Sequence, residues 1–158
     1  GWQVIAIEPV KENMQLLQEN TKGLDVIPIW AGASNRPDTA RVVKEEGWKW
    51  SQAQLMAHDG SDAEAVHVIP LDIFAVNNIT LIKIDAEGME LPILEGASNI
   101  LRLRKPELFI EGHDEKDRLA LIEALEPYGY ELIERYNHAA TYHFSASGKF
   151  KVTYTHPK

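Results

Sequence analysis

Residues able to do chemistry stand in this sequence just after apolar runs that predict buried strands. Glu8 follows the run at residues 4–7, Asp85 follows the run at 79–84, and Glu111 follows the run at 107–110. The carboxyl ends of parallel strands meet at one edge of a sheet, and open α/β folds bind their ligands at that edge. We therefore expect the ligand-binding residues among those that follow the strands: Glu8, Gly32, Asp85, Glu87, Gly88, Glu111 and His113.

Glu8 has two interpretations. An ionised carboxylate at the end of a strand can accept hydrogen bonds from both hydroxyls of a ribose, a geometry that dinucleotide-binding folds also use. The other interpretation is a solvated acid at the start of the helix predicted next, where the helix dipole stabilises negative charge.

Lys83 and Asp85 are two residues apart on one predicted strand, so their side chains point to the same face. A lysine inside an apolar strand is costly unless it is paired. One interpretation is a Lys–carboxylate pair that orders the strand end. The other is that Asp85 faces a reaction centre and binds either a substrate hydroxyl or a divalent metal.

Glu111 and His113 follow a strand expected to lie beside the Asp85 strand, so the three side chains are expected to converge. Asp85 and Glu111 could hold a hard cation such as Mg²⁺, which would lower the pKa of a substrate hydroxyl. Alternatively, His113 accepts the hydroxyl proton, because histidine ordinarily titrates near neutrality. The competing interpretation of His113 is a surface loop histidine. Glu87, at a tight turn before Gly88, is either a helix-capping acid or an acid of a cofactor pocket.

Alternating strands and helices position these residues. Strands are predicted at residues 4–7, 26–30, 66–71, 79–84, 107–110, 130–136, 141–145 and 150–155, with a turn at Ser147-Gly148 between the last two. Helices are predicted at residues 11–23, 73–76, 91–103 and 116–125, the last with Leu119, Ile122 and Leu125 inward. This order predicts an α/β fold whose mostly parallel sheet has an antiparallel C-terminal edge. A single domain over residues 1–158 is expected, with 35–64 as an insertion of irregular or edge-strand structure.

Composition excludes several classes of function. The formal net charge is −8, and no basic stripe is present beyond Arg102, Arg104 and Lys105, so nucleic acid is not expected as a partner. No apolar run approaches the roughly 20 residues that span a bilayer. Cysteine is absent, which excludes a thiolate nucleophile and agrees with a cytoplasmic location. Trp48 and Trp50 line a substrate pocket or pack a loop, and the histidines other than His113 are interpreted as structural or surface residues.

Three stretches resemble the FkbM family of methyltransferases. The most diagnostic is LIKIDAEGMELPILEGASNIL at residues 81–101, which is similar to the family's strand ending in Lys-Ile-Asp-x-Glu-Gly and the helix after it. VIAIEPVKEN at 4–13 resembles the family's second strand, and PELFIEGHDE at 106–115 resembles the strand that follows the diagnostic one.

The resemblance implies a class I methyltransferase with a three-layer Rossmann-like sheet and S-adenosylmethionine as cofactor. It further implies O-methylation of a hydroxyl on a sugar, glycan or polyketide-like small molecule. Cofactor binding would fall to Glu8, Gly32, Glu87 and Gly88, and catalysis to Asp85, His113 and Lys83. Such a methyl transfer needs no covalent enzyme intermediate, in keeping with the lack of a nucleophile motif.

One family feature has no counterpart in the sequence, namely the first strand that ends in an acidic, glycine-rich turn. We therefore expect the first strand and helix to be missing, either because the chain is part of a longer protein or because it is a shortened member. A shortened member would expose strand edges, which a homo-oligomer could pair. The alternative function is accordingly a non-catalytic module that binds a nucleoside-like ligand or a protein. An NAD-binding domain is a weaker alternative.

Overall fold

The computed structural model describes residues 1–43, 54–57, 65–136 and 140–146. These divide into two compact units, one formed by Gly1–Ile73 with Ala86–Ala97 and the other by Phe74–Asp85 with Ser98–Lys158. Several predictions lie outside the described residues: the strand at 150–155, the turn at Ser147-Gly148, Trp48, Trp50, His58, His138 and His156. Within the described ranges, no helix combines the length and apolar character needed to cross a membrane.

The first unit opens with a strand–helix–strand element. Strands β1 (Val4–Glu8) and β2 (Val26–Trp30) pair in parallel, and helix α1 (Lys11–Asn20) connects them. Met14 is the residue of α1 that the core buries, whereas Leu16 is exposed. The register places Glu8 beside Trp30, so both residues stand at the carboxyl end of the strand pair.

A second sheet of the first unit combines β3 (Gly32–Ala33), β4 (Asp38–Val43), β5 (Gln54–Ala57) and β6 (Ala65–Ile69). Their order is β3-β6-β4-β5, with β3–β6 parallel and the other pairs antiparallel. The small-residue segment at 31–34 thus includes a short strand. The described parts of the segment 35–64 include the strands β4 and β5, which contribute Val42 and Leu55 to a core around Ala40, Val66 and Val68.

The helix predicted over 91–103 is two helices in the structure. The first of them, α2 (Glu90–Glu95), lies in the first unit, and a 3-10 helix at Leu71–Phe74 replaces the helix predicted at 73–76. In the second unit, α3 (Ser98–Leu103) carries the buried residues Ile100 and Leu101. The break falls at Gly96, whose carbonyl accepts the Asp72 N–H at 2.8 Å instead of continuing the helical hydrogen bonds. Glycine is also a poor helix former.

The second unit contains β7 (Leu81–Ile84), β8 (Glu107–Glu111), β9 (Tyr130–Tyr136) and β10 (Thr141–Ala146), in the order β7-β8-β10-β9. β7 and β8 are parallel, and both β10 pairs are antiparallel, so this sheet does have an antiparallel C-terminal edge. Helix α4 (Glu115–Leu125) buries Leu121 and Leu125. The prediction that Leu119 points inward is wrong: it is 54% exposed, because the buried stripe follows the i, i+4 spacing of Leu121 and Leu125.

Candidate functional site

Glu8 ends β1 with its carboxylate half-buried. Its Oε1 accepts the Val10 N–H at 2.7 Å, and the Asn13 side chain donates a further hydrogen bond. Burial raises the pKa of Glu8 above its ordinary value, and the two hydrogen bonds oppose that rise. A carboxylate offers about four acceptor positions. The Glu8 carboxylate therefore has acceptor capacity left beyond the two hydrogen bonds it already accepts.

Trp30, beside Glu8 in the strand register, holds an exposed indole ring. The indole N–H donates to the Pro9 carbonyl oxygen at 3.0 Å, and the Lys11 Nζ lies 5.6 Å from the ring centroid. The residue nevertheless remains 43% exposed. Sequence reasoning assigned Trp30 only to a strand, although an aromatic residue at a strand's carboxyl end was a visible signal.

The turn after the Asp85 strand has a left-handed backbone at two successive residues. Glu87 has φ 47° and Gly88 has φ 92°, and the Met89 N–H donates to the Ala86 carbonyl at 3.2 Å. The Glu90 carboxylate accepts the N–H groups of Ala86 at 3.2 Å and Gly88 at 3.3 Å. The prediction from sequence missed Glu90, although an acidic residue in the first turn of a helix often accepts backbone N–H groups. Cofactor binding by Glu87 and Gly88 remains a prediction.

Gly32 lies in β3 opposite Val68 of β6. A Cβ at this position would lie 2.4 Å from Cδ1 of Leu55, so the glycine makes room for that side chain. This packing accounts for the residue type at position 32, and a role for Gly32 toward the cofactor remains a prediction.

Lys83 and Asp85 form an ion pair at the end of β7, with 2.5 Å between Lys83 Nζ and Asp85 Oδ2. Both side chains are about half exposed, at 56% and 50%. A hydrogen bond with the Glu111 side chain lowers the pKa of Asp85, and Lys83 and the charge of His113 lower it further. The predicted Lys–carboxylate pair is thus present, and Asp85 is ionised at neutral pH.

Glu111, the last residue of β8, and His113, in the loop after it, both lie near Asp85. Asp114 caps helix α4 by accepting the Asp117 N–H at 2.9 Å, while the Asp117 carboxylate accepts the His113 N–H at 2.8 Å. Together the two carboxylates fix the backbone on both sides of the helix start. Sequence reasoning expected the convergence of Asp85, Glu111 and His113 but not the Asp114–Asp117 pair that holds the loop.

The described residues give no support to the predicted Mg²⁺ site at Asp85 and Glu111. The Lys83 ammonium already pairs with Asp85 and neutralises its charge. Mg²⁺ takes ionised oxygen ligands in an octahedral arrangement. In the part of the chain that the structure describes, no group of three His, Asp or Glu side chains is placed to hold a metal ion.

Among the other histidines, His143 is buried in β10. Its Nε2 lies 2.7 Å from Glu107 Oε2, and the Ser145 hydroxyl donates to the other Glu107 oxygen at 2.8 Å. The imidazole also stacks on Phe109, with 4.5 Å between ring centroids. His143 is therefore a structural residue, as predicted, and His67 on β6 is exposed.

The carboxylates of Glu8 and Asp85 lie at the carboxyl ends of parallel strands, where open α/β folds bind their ligands. The methyltransferase FkbM domain model matches residues 1–139, and the chain belongs to that family. A crystal structure of methyltransferase FkbM from Methylobacillus flagellatus KT has a TM-score of 0.63 and 22% sequence identity to this chain. The match covers 90% of this chain and 36% of that chain, and at this identity it shows a shared fold. No curated protein gives a significant sequence match.

Proposed function

We propose that the protein takes part in S-adenosylmethionine-dependent O-methylation of a hydroxyl on a sugar, glycan or polyketide-like small molecule. Membership of the FkbM methyltransferase family supports methyl transfer. The observation that carries the choice of a hydroxyl acceptor is the cluster of Lys83, Asp85, Glu111 and His113 in the second unit. It offers an ionised hydrogen-bond acceptor beside a group able to take a proton.

In the first unit, Glu8 is the residue that fits the cofactor. Its remaining acceptor positions suit the paired hydroxyls of a ribose, and hydrogen bonds from them would favour the ionised carboxylate that burial disfavours. When bound, S-adenosylmethionine supplies a methyl group on a positively charged sulfur. The backbone at Gly88 is open, since a Cβ there would contact no other atom within 4 Å.

In the second unit, Asp85 and His113 have different roles toward the acceptor hydroxyl. Asp85, with its lowered pKa, is a weak base but a good hydrogen-bond acceptor, so it orients the hydroxyl. The hydrogen bond with Glu111 and the ion pair with Lys83 both favour the ionised form of Asp85, which makes Lys83 a positioning residue. The His113 imidazole would take the proton of the acceptor hydroxyl, while S-adenosylmethionine would supply the methyl group to that oxygen and keep the electrons of its S–CH₃ bond on sulfur. No divalent cation enters this scheme.

A methyl-transfer assay with a matched histidine control tests the scheme. The full chain is incubated with S-adenosylmethionine carrying a labelled methyl group and with a panel of sugars and hydroxylated polyketide-like compounds. With an acceptor that is methylated, His113→Gln is expected to lower the rate about 10²- to 10⁴-fold, the usual contribution of a general base. His67→Gln, at an exposed histidine of β6, is expected to leave the rate unchanged. Equal rates for the two variants would exclude His113 as the base.

A further inference from the structure

Trp30 is a large aromatic side chain held in place at the carboxyl end of β2 but left 43% exposed. We propose that Trp30 is the platform on which the nucleobase of a bound nucleoside stacks, so that Glu8 and Trp30 recognise adenosine together. The inference rests on the proposed function, because it names the residue that contacts the base of the cofactor. No part of the matched sequence motifs assigns a role to position 30.

The strand register is the first support. Glu8 and Trp30 are partners in the parallel pairing of β1 and β2, so the two side chains leave the same face of this two-stranded sheet. The indole N–H bonds to the carbonyl of Pro9, the residue directly after Glu8. A nucleoside whose ribose binds the Glu8 carboxylate would therefore have its base close to the indole ring.

The restraint on the ring is the second support. The Pro9 hydrogen bond fixes one edge of the indole, and the Lys11 ammonium lies 5.6 Å from its centroid. An exposed side chain ordinarily loses rotamer freedom when a ligand binds it. Trp30 has lost much of that freedom before binding, so stacking a base on it costs less than stacking on a mobile ring.

Chemistry favours a nucleobase over other occupants. Bases stack on aromatic side chains through their π-faces, and this contact tolerates any base. The indole N–H is already bonded and the Lys11 ammonium lies over one face of the ring, so a base would stack on the opposite face. Glu8 would orient the ligand through hydrogen bonds, and Trp30 would supply apolar contact area. Small-molecule sites usually combine these two kinds of contact.

Fluorescence and calorimetric titration with S-adenosylhomocysteine and adenosine test the assignment. Binding is expected to change the tryptophan emission of the wild type. Trp30→Leu is expected to bind about tenfold more weakly and to lose the emission change. Trp30→Phe, which keeps an aromatic face, is expected to bind within about threefold of the wild type while also losing the emission change. Trp2→Leu removes a tryptophan that is 75% exposed and should match the wild type in affinity.

The outcomes separate this inference from the function on which it rests. If the wild type binds and Trp30→Leu binds equally tightly, the platform is refuted while cofactor binding stands. If the folded wild type binds neither S-adenosylhomocysteine nor adenosine, both the proposed function and the platform are refuted. A native circular dichroism spectrum for Trp30→Leu, together with retained affinity in Trp30→Phe, separates loss of stacking from loss of fold.

Discussion

Replacing Gly96 by alanine is expected to destabilise the first unit, although the backbone at this residue suits any amino acid. Gly96 has φ −72° and ψ −3°, where a Gly-to-Ala change ordinarily adds about 0.4–1 kcal/mol of stability. Here the new Cβ would lie 2.0 Å from the Ser34 carbonyl oxygen and 3.0 Å from the Asn35 Cα. Both are backbone atoms, so the segment at 34–35 or helix α2 must move. Overpacking of this kind costs about 1–3 kcal/mol, which outweighs the entropic gain.

Urea unfolding followed by circular dichroism measures the change in the free energy of unfolding. Gly23→Asn is the matched control, because Gly23 has φ 83° with no atom near a Cβ, and asparagine tolerates that conformation. We expect the control to lose well under 1 kcal/mol and Gly96→Ala to lose about 1–3 kcal/mol. A Gly96→Ala protein as stable as the wild type would show that the Ser34 carbonyl does not pack against the end of α2.

Three further variants test the charged groups. Glu8→Gln is expected to be at least as stable as the wild type at neutral pH, because burial raises the pKa of Glu8 and penalises its charge until the pH falls below the ordinary value of 4.5. The same variant should bind adenosine about 10- to 100-fold more weakly in calorimetry, and equal affinity would exclude a ribose contact. Lys83→Met should raise the pKa of Asp85, measured by NMR titration of its carboxyl carbon. The stability that Asp85 contributes is present above its ordinary pKa of 3.8 and is lost as the pH falls through its lowered pKa. If the pKa of Asp85 is the same in Lys83→Met as in the wild type, the ion pair is refuted. Glu107→Ala leaves buried His143 without its partner at 2.7 Å and should cost about 1–3 kcal/mol in urea unfolding, whereas an unchanged midpoint would show that the network contributes nothing to stability.

Local patterns predicted most of the elements. The strands at 26–30 and 130–136 were predicted with their observed bounds, because apolar and β-branched runs end there at turn residues. The helix over 91–103 was wrong as a single element, because the break depends on a tertiary hydrogen bond from Asp72 to Gly96. The bounds of the strands within 35–64 could not be predicted for a similar reason, since pairing with distant residues of β6 stabilises β4.

At the candidate site, strand-end position indicated which residues come together, and their partners could not be predicted. The Lys83–Asp85 pair follows from a spacing of two on one strand. The Asp117 carboxylate that holds the His113 backbone, and the Glu90 carboxylate that holds the turn at 86–88, depend on how each loop enters its helix. The placement of Trp30 beside Glu8 depends on strand register, which the sequence alone does not specify.

Calorimetric titration of the full chain with S-adenosylmethionine and S-adenosylhomocysteine, with NAD as the comparison ligand, tests the central claim most directly. The account predicts saturable binding of both sulfur nucleosides, weaker or no binding of NAD, and a loss of affinity in Glu8→Gln. A folded chain that binds neither sulfur nucleoside, or that binds NAD more tightly than either, would contradict the claim that this domain serves S-adenosylmethionine-dependent methyl transfer.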